Sequence, residues 1–175
     1  MENSTKDTNW KRAFIPFWIS QMISILGSYL VQFTLVWWLT EKTGSATVLA
    51  VATMVALIPE IIVQPFAGAI VDRINRKTVI IAADAVIAAA TLILGIVFFI
   101  GQPEIWLIYG IMMLRAIGGA FHYPAEQASI ALMVPEQHLA RIAGLNPITR
   151  GIINIVSAPL GALVLAYIGV EGSLL

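Results

Sequence analysis

Four charged side chains stand inside long apolar stretches: Glu60, Asp84, Arg115 and Arg150. At about 1.5 Å per helical residue, Glu60 lies roughly 18 Å from Asp72, Arg115 roughly 16 Å from Glu104, Asp84 roughly 10 Å from Lys77 and Arg150 roughly 13 Å from Arg141. Glu60 and Arg115 therefore fall near the middle of their stretches. Ionisable groups at such depth are costly and point to function by default. The chemistry open to them is proton exchange. A carboxylate in a low-dielectric cavity is driven towards its neutral form by desolvation and towards its charged form by a neighbouring cation. These residue types predict that Arg115 pairs with Glu60 or Asp84, and that one of the two carboxylates takes up and releases a proton. A permanent ion pair that merely holds helices together is the plainer alternative. Arg150 is expected to snorkel towards the nearer surface rather than to touch a ligand.

Uncharged polar residues extend the pattern. Gln21, Ser24, Ser28 and Gln32 are spaced three or four apart and line one helical face. Asn146, Thr149, Arg150, Asn154 and Ser157 do the same further on. Such stripes in an apolar bundle face either a cavity or a neighbouring helix, so Gln21, Ser28, Gln32, Asn146, Arg150 and Asn154 are cavity-lining candidates. Tyr29, Phe33, Tyr109 and Met113 could contact a bulky apolar ligand, or simply pack. His122 and Glu126 are four apart, but two ligands without a third make no metal site. No nucleotide loop, nucleophile elbow or zinc motif is present, so neither a cofactor nor an enzymatic reaction is expected.

The elements that must carry these residues follow from composition. Of 175 residues, 59% are hydrophobic and 11% charged, with mean hydropathy +0.87. A soluble domain is about 45–50% apolar and about 25% charged, and no compact soluble core of this length hides so much apolar surface. Zero net charge suggests no nucleic-acid partner, and the absence of cysteine excludes disulfides and thiolate metal sites. Five runs, at 13–39, 46–71, 78–100, 105–123 and 139–168, are long enough to cross a bilayer as helices. They do not alternate as barrel strands would. The first is too long for a cleavable signal peptide and is retained as a span.

Short connectors, 40–46, 72–77 and 101–104, join the first four spans, and a longer one from Tyr123 to His138 precedes the fifth. Trp37, Trp38 and Trp106 fall near one set of span ends, and Trp10 and Trp18 near the other, as interfacial anchors do. With the N-terminus in the cytoplasm, the inner side holds Lys6, Lys11, Arg12, Arg73, Arg76, Lys77 and Arg141, and the outer side Lys42. That bias orients the chain. After span five, "GVEGSLL" (169–175) begins another apolar run, so the chain reads as the front part of a longer protein.

The tightest cluster of charge is "GAIVDRINRK" (68–77). Asp72 closes span two, while Arg73, Arg76 and Lys77 hold the corner at the headgroups. Gly68, one turn earlier, is expected to admit a neighbouring helix, and Asn75 to take a left-handed backbone in the turn. Gly68, Asp72, Arg73, Arg76 and Lys77 together resemble the signature loop of the major facilitator superfamily, with Asn75 where the family usually has glycine. "RAIGGAF" resembles the family's fourth-helix pattern through Arg115 and Gly119, with Gly118 in place of the usual glutamine. "NIVSAPLGAL" keeps Pro159 and Gly161 of the antiporter pattern, with Ala158 in place of its glycine. "LTEKTGSATVLA", "AFHYPA" and "MVPEQHLARIAG" are similar to the macrolide-efflux type of drug exporters within that superfamily.

The resemblance covers essentially all of the chain and implies an all-α membrane protein. Its fold would be a major-facilitator-like bundle, with five transmembrane helices of an incomplete N-terminal six-helix half. It implies secondary active transport, by proton-coupled efflux of a macrolide-like or other amphipathic drug, with the proton as coupling ion. Carriage of a lysolipid or metabolite stays open. The implied partners are the lipid bilayer, the drug-like substrate and the missing C-terminal half. It also implies that Asp72, Arg73, Arg76 and Lys77 latch two halves together, and that spans one, two, four and five line a central cavity. A non-transporting scaffold or an inert truncated fragment is the reading from a different class.

Overall fold

A computed structural model describes the backbone of residues 3–101 and 103–173, and the side chains of 10–101 and 103–167. Lys6 and the 169–175 stretch lie outside the described side chains. Among the described residues the fold is five helices: α1 (Asn3–Thr43), α2 (Ala46–Val71), α3 (Arg76–Ile100), α4 (Ile105–Met133) and α5 (Glu136–Ser173). All five are long and apolar enough to cross a membrane.

Each corner has a local cause. Between α1 and α2, Gly44 takes φ +57°, a left-handed conformation that glycine adopts without a Cβ penalty. Ser45 then caps α2 by accepting from the Val48 N–H at 3.5 Å. Between α2 and α3, Asp72 is the C-cap. Asn75 departs from the expectation of a left-handed turn: its φ is −62°, and it serves as the α3 N-cap, accepting from the Lys77 N–H at 3.0 Å. Asparagine is among the best N-caps because its short side chain reaches the orphan first-turn donors. That use of the residue displaces the left-handed one.

The largest departure is at α4. The expected end at Tyr123 is not an end; the helix runs through Pro124 to Met133. Proline removes one helical hydrogen bond, but the following "AEQASIALM" is rich in strong helix formers. The expected long connector shrinks to the residues about Val134 and Pro135, whose backbone folds directly into α5. Glu136 occupies the first turn of α5, where negative charge is favoured.

Helix α4 is the centre of the bundle, packed between α2 and α3, while α1 pairs with α5. The two groups meet more lightly, through α1 with α2 and α4, and through α3 with α5. Apolar cores form at the two ends. One, at the Lys42 end, gathers Leu35, Leu39, Ala52, Leu94, Phe98, Ile108 and Met112. The other, at the basic end, joins Phe14 to Ile130 and Val134, with Val71, Ile80 and Ala125 beside them. Between the two plugs the helices separate around polar groups. Large apolar side chains such as Phe66, Phe99, Trp106 and Ile155 project outward. A soluble surface rarely leaves such side chains contiguous and uncovered.

Gly118 sets the closest approach of α4 to α3. A Cβ there would lie 2.8 Å from Ile87 Cγ1 and 3.6 Å from the Ala83 carbonyl oxygen. The alanine-rich face of α3 contributes Ala83 and Ala90 to the buried contact, while Ala82, Ala85, Ala88 and Ala89 face outward. On the other side, Gly161 of α5 receives the ring of Phe33, 2.5 Å from where its Cβ would be. Gly68 does not behave as expected. Nothing lies within 4 Å of its would-be Cβ, because no described helix packs on that face.

Candidate functional site

A cavity of about 360 Å³ opens between the two end plugs. Five residues of α1 (Ser24, Ile25, Ser28, Tyr29 and Gln32) form one wall, and Thr53, Ala56, Leu57 and Glu60 of α2 another. Asp84 and Ile87 of α3 contribute, as do Met112, Arg115, Ala116, Gly119, His122 and Tyr123 of α4. Arg150 reaches in from α5. The spacing explains the α4 wall. Residues 115, 119, 122 and 126 recur every three or four positions, which aligns them along one helical face.

The ionic contacts differ from those predicted. Arg115 is buried, but its partners are neither Glu60 nor Asp84. One terminal nitrogen donates to Thr91 Oγ1 and the other to the Ser28 carbonyl at 3.2 Å. Asp84 Oδ1 instead faces His122 Nε2 at 3.2 Å. Arg150 does not snorkel: it pairs with Glu126, and its guanidinium lies 5.0 Å from the Tyr123 ring centroid. Among the described residues, Glu60 has no cationic nitrogen within 4 Å. The physical reason is the helix order. With α4 between α2 and α3 and packed tightly on α3 through Gly118, Arg115 is directed to the α3 hydroxyl of Thr91 and to α1, while Asp84 meets His122 two turns further along α4.

Of the lining candidates, Ser28, Gln32 and Arg150 border the cavity. Gln21 is buried but falls outside the lining. It shares the face of Ser28 yet stands about 10 Å lower along the axis. Asn146 is buried and accepts from Trp18 Nε1 at 2.7 Å, tying α5 to α1. Asn154 is exposed. At 100° per residue, positions 146, 150 and 154 rotate by about 40° at each step, so the α5 stripe winds off the cavity. Tyr29 lines the cavity. Tyr109 is spent on the Val48 carbonyl at 2.9 Å, and Met113 is turned outward. His122 and Glu126 share a face of α4 but meet different partners, Asp84 and Arg150.

Reasoning from sequence missed His122 and Glu126 as members of the charged site. The signal was present in the continuation of the Arg115 face at positions 122 and 126, and ending the span at Tyr123 concealed it. At the 68–77 corner, Asp72, Arg73 and Lys77 are exposed, and among the described residues Asp72 makes no ion pair.

Comparisons with known proteins agree with this architecture. The sequence profile of the Major Facilitator Superfamily matches residues 17–175. Macrolide efflux protein A of Streptococcus pyogenes is 40% identical over 158 residues, covering 90% of this chain and 39% of that protein. Macrolide efflux protein A of Enterococcus faecalis is 39% identical over 120 residues, covering 69% and 37%. An uncharacterized MFS-type transporter of Bacillus subtilis, YkuC, is 29% identical over 170 residues, covering 97% and 38%. No solved structure matches the chain. The chain thus spans about two-fifths of the length of these curated relatives. With five membrane-length helices, the charged corner and a profile match over nearly its whole length, this chain belongs to the major facilitator superfamily.

Proposed function

We propose that this chain is the N-terminal part of a secondary active exporter that moves a macrolide-like or other amphipathic drug out of the cell by alternating access, coupled to proton entry. The observation that carries this reading is the cavity. Polar and charged groups from all five helices converge between two apolar plugs, where a bundle serving only as a scaffold would pack apolar residues. The names of the relatives with which it shares two-fifths identity support the drug class. Glu60 and Asp84 are the proton-exchange candidates, with Arg115 as the fixed charge that sets the field between them. The N-terminus and the 68–77 corner lie in the cytoplasm. There Asp72, Arg73, Arg76 and Lys77, one turn after Gly68, latch this half to the C-terminal half of the same polypeptide in one state of the cycle. That Asp72 makes no ion pair among the described residues favours that role. A negative charge at a helix C-terminus opposes the helix dipole, so a cationic or N–H-rich partner outside this segment would gain by meeting it.

The test is macrolide accumulation in susceptible cells expressing the full polypeptide that carries this segment, with and without a protonophore. Protonophore-sensitive exclusion of the drug is the expected result. Glu60→Gln and Asp84→Asn variants that both keep full gradient-dependent export would remove the proton assignment. Exclusion indifferent to the protonophore would remove coupling altogether.

A further inference from the structure

We infer that a water-holding chamber lies beneath the cavity, walled by Gln21 of α1, Glu126 of α4 and Asn146 and Arg150 of α5, and that it is the inner leg of the proton's route towards the cytoplasm. Only the route rests on the proton-coupled reading above. Each of the four residues carries a buried polar atom with no hydrogen-bond partner among the described residues: Gln21 Oε1, Glu126 Oε1, Asn146 Nδ2 and Arg150 Nε. Gln21, Glu126 and Asn146 are 6%, 0% and 1% exposed. Polar atoms enclosed to that degree are costly to leave unpaired.

Helix packing sets the four at one level. Helices α1 and α5 run in the same direction: Trp18 Nε1 meets Asn146 Oδ1 and, fifteen positions on along both helices, the Phe33 ring meets Gly161. Gln21, about one turn beyond Trp18, is therefore level with the turn from 146 to 150. Helix α4 runs the other way, with Phe14 against Ile130 and the Ser28 carbonyl receiving Arg115. Gln21, midway between Phe14 and Ser28, falls level with 122–126. The Glu126–Arg150 pair closes the ring.

The unpaired atoms define the ligand. Gln21 Oε1 and Glu126 Oε1 accept, while Arg150 Nε donates. The Trp18 indole occupies Asn146 Oδ1, which leaves the amide nitrogen as the second donor. A cation would meet the two N–H groups, and an anion would meet a carboxylate and a carbonyl. Water donates and accepts alike and satisfies both kinds, with the roughly three bonds usual for a buried water. Above the chamber, Arg150 borders the cavity. Below it, the contiguous rings of Trp10, Phe14 and Trp18, with His138 against Trp10, seal the cytoplasmic end. A lone guanidinium on this path would repel a proton, and pairing with Glu126 offsets that barrier. Water in the chamber takes a proton on its oxygen from the cavity side. When the rings part, it gives up one of its own hydrogens on the cytoplasmic side, so one proton passes and no water is consumed.

The experiment uses the full polypeptide in proteoliposomes, with two readouts. X-ray hydroxyl-radical labelling of Trp18 reports water bound beside it, and a lumenal pH dye reports macrolide-driven proton movement. Gln21→Leu is expected to lower Trp18 labelling at least about threefold, because it removes one of the polar partners that hold the water. It is expected to slow proton movement at least about fivefold, what one lost hydrogen bond along the file is worth. Gln21→Asn, which keeps the carbonyl, is expected to hold both readouts within about twofold of wild type. Equal labelling in wild type and Gln21→Leu, or equal losses in Gln21→Leu and Gln21→Asn, overturns the chamber. Lowered labelling with unchanged proton movement overturns the route. Should Gln21→Leu fail to accumulate in the membrane, Gln21→Met, of nearly the same length, is held to the same criteria. Absence of macrolide-driven proton movement in wild type removes the coupled-export reading and the route with it, while the labelling still decides the chamber.

Discussion

Removing the positive partner of a fully enclosed carboxylate is the severest single change this bundle offers. Glu126 is 0% exposed and its partner Arg150 has a side chain 20% exposed. The Arg150→Leu variant keeps an apolar stem of similar length on α5 but strands the Glu126 charge inside the protein. Breaking a buried pair from one side costs about 3–5 kcal/mol, since the remaining ion keeps its desolvation penalty and loses its compensation. For a unit of this size, at about 2–4 °C per kcal/mol, that is a fall of roughly 6–20 °C in melting temperature.

The reverse change is milder. In Glu126→Gln the guanidinium still borders the cavity, where water reaches it, and still lies over Tyr123. A cost of about 1.5–3 kcal/mol is expected, in the range of one lost hydrogen bond to a charged group. The double variant Glu126→Leu with Arg150→Leu removes both ions together and is expected to be near neutral, as apolar replacements of buried pairs often are. The measurement is thermal unfolding of the detergent-solubilised full polypeptide, read by size-exclusion recovery after heating, as a double-mutant cycle. The reasoning is refuted if Arg150→Leu unfolds within 1 °C of wild type, or if the double variant is less stable than Arg150→Leu alone.

Other perturbations test other parts of the fold. Gly118→Val places methyl groups into Ile87, whose Cγ1 already lies 2.8 Å from a bare Cβ; a loss of about 1–3 kcal/mol is expected from overpacking, with Gly110→Ala, which meets nothing within 4 Å, as the unaffected control in the same melting assay. Trp18→Phe deprives buried Asn146 Oδ1 of its donor, and the orphaned acceptor is expected to cost about 1–2 kcal/mol, largely restored by adding Asn146→Leu. Asp72→Asn, at an exposed corner without an ion pair among the described residues, is expected to change melting by less than about 0.5 kcal/mol, while a latch role requires that it slow drug export several-fold. Cysteines introduced near Lys42 and near Lys77 are expected to react with an impermeant maleimide from opposite sides of the membrane, and the Lys77 site to be unreactive in intact cells.

The helices were legible because their signal is additive. Twenty or more apolar residues in a row leave few alternatives, and the short polar connectors between them, with Asp72 closing the second, place the corners. Span four failed at Pro124 because a proline read in isolation is a boundary, whereas in a long helix its missing donor costs one hydrogen bond among many. The pairing of Arg115 failed for a different reason. Depth along the membrane can be counted from sequence, but azimuth cannot. Glu60, Asp84 and Arg115 were placed at compatible depths, yet which carboxylate faces the guanidinium depends on how α4 is rotated against α2 and α3. That rotation is fixed by Gly118 and Ile87, residues that carry no charge. The same limit separated Gln32, which lines the cavity, from Asn154, which does not.

The central position of α4 gives the charged site its economy. This helix carries Arg115, His122 and Glu126 along one face and so contacts partners on α1, α3 and α5 at once. A rotation of α4 by even one residue's worth of angle, about 100°, would exchange all of these contacts together. Its neighbours are unequal, however. On the α3 side the Gly118 contact is too close to slide without repacking Ile87. On the α1 and α5 side, among the described residues, α4 is tied around the cavity by one hydrogen bond from Arg115 and by the Glu126–Arg150 pair, and beyond it by the apolar plugs at the two ends. Motion that opens or closes the cavity is therefore expected to move the α1–α5 pair against a rigid α2–α3–α4 unit. In that motion the Arg115 bond to the Ser28 carbonyl and the Arg150 pair break first, and the Asp84–His122 contact, internal to the rigid unit, persists. A spin-label pair on α3 and α4 whose distance distribution broadened on drug binding, while an α1–α4 pair stayed fixed, would contradict this division.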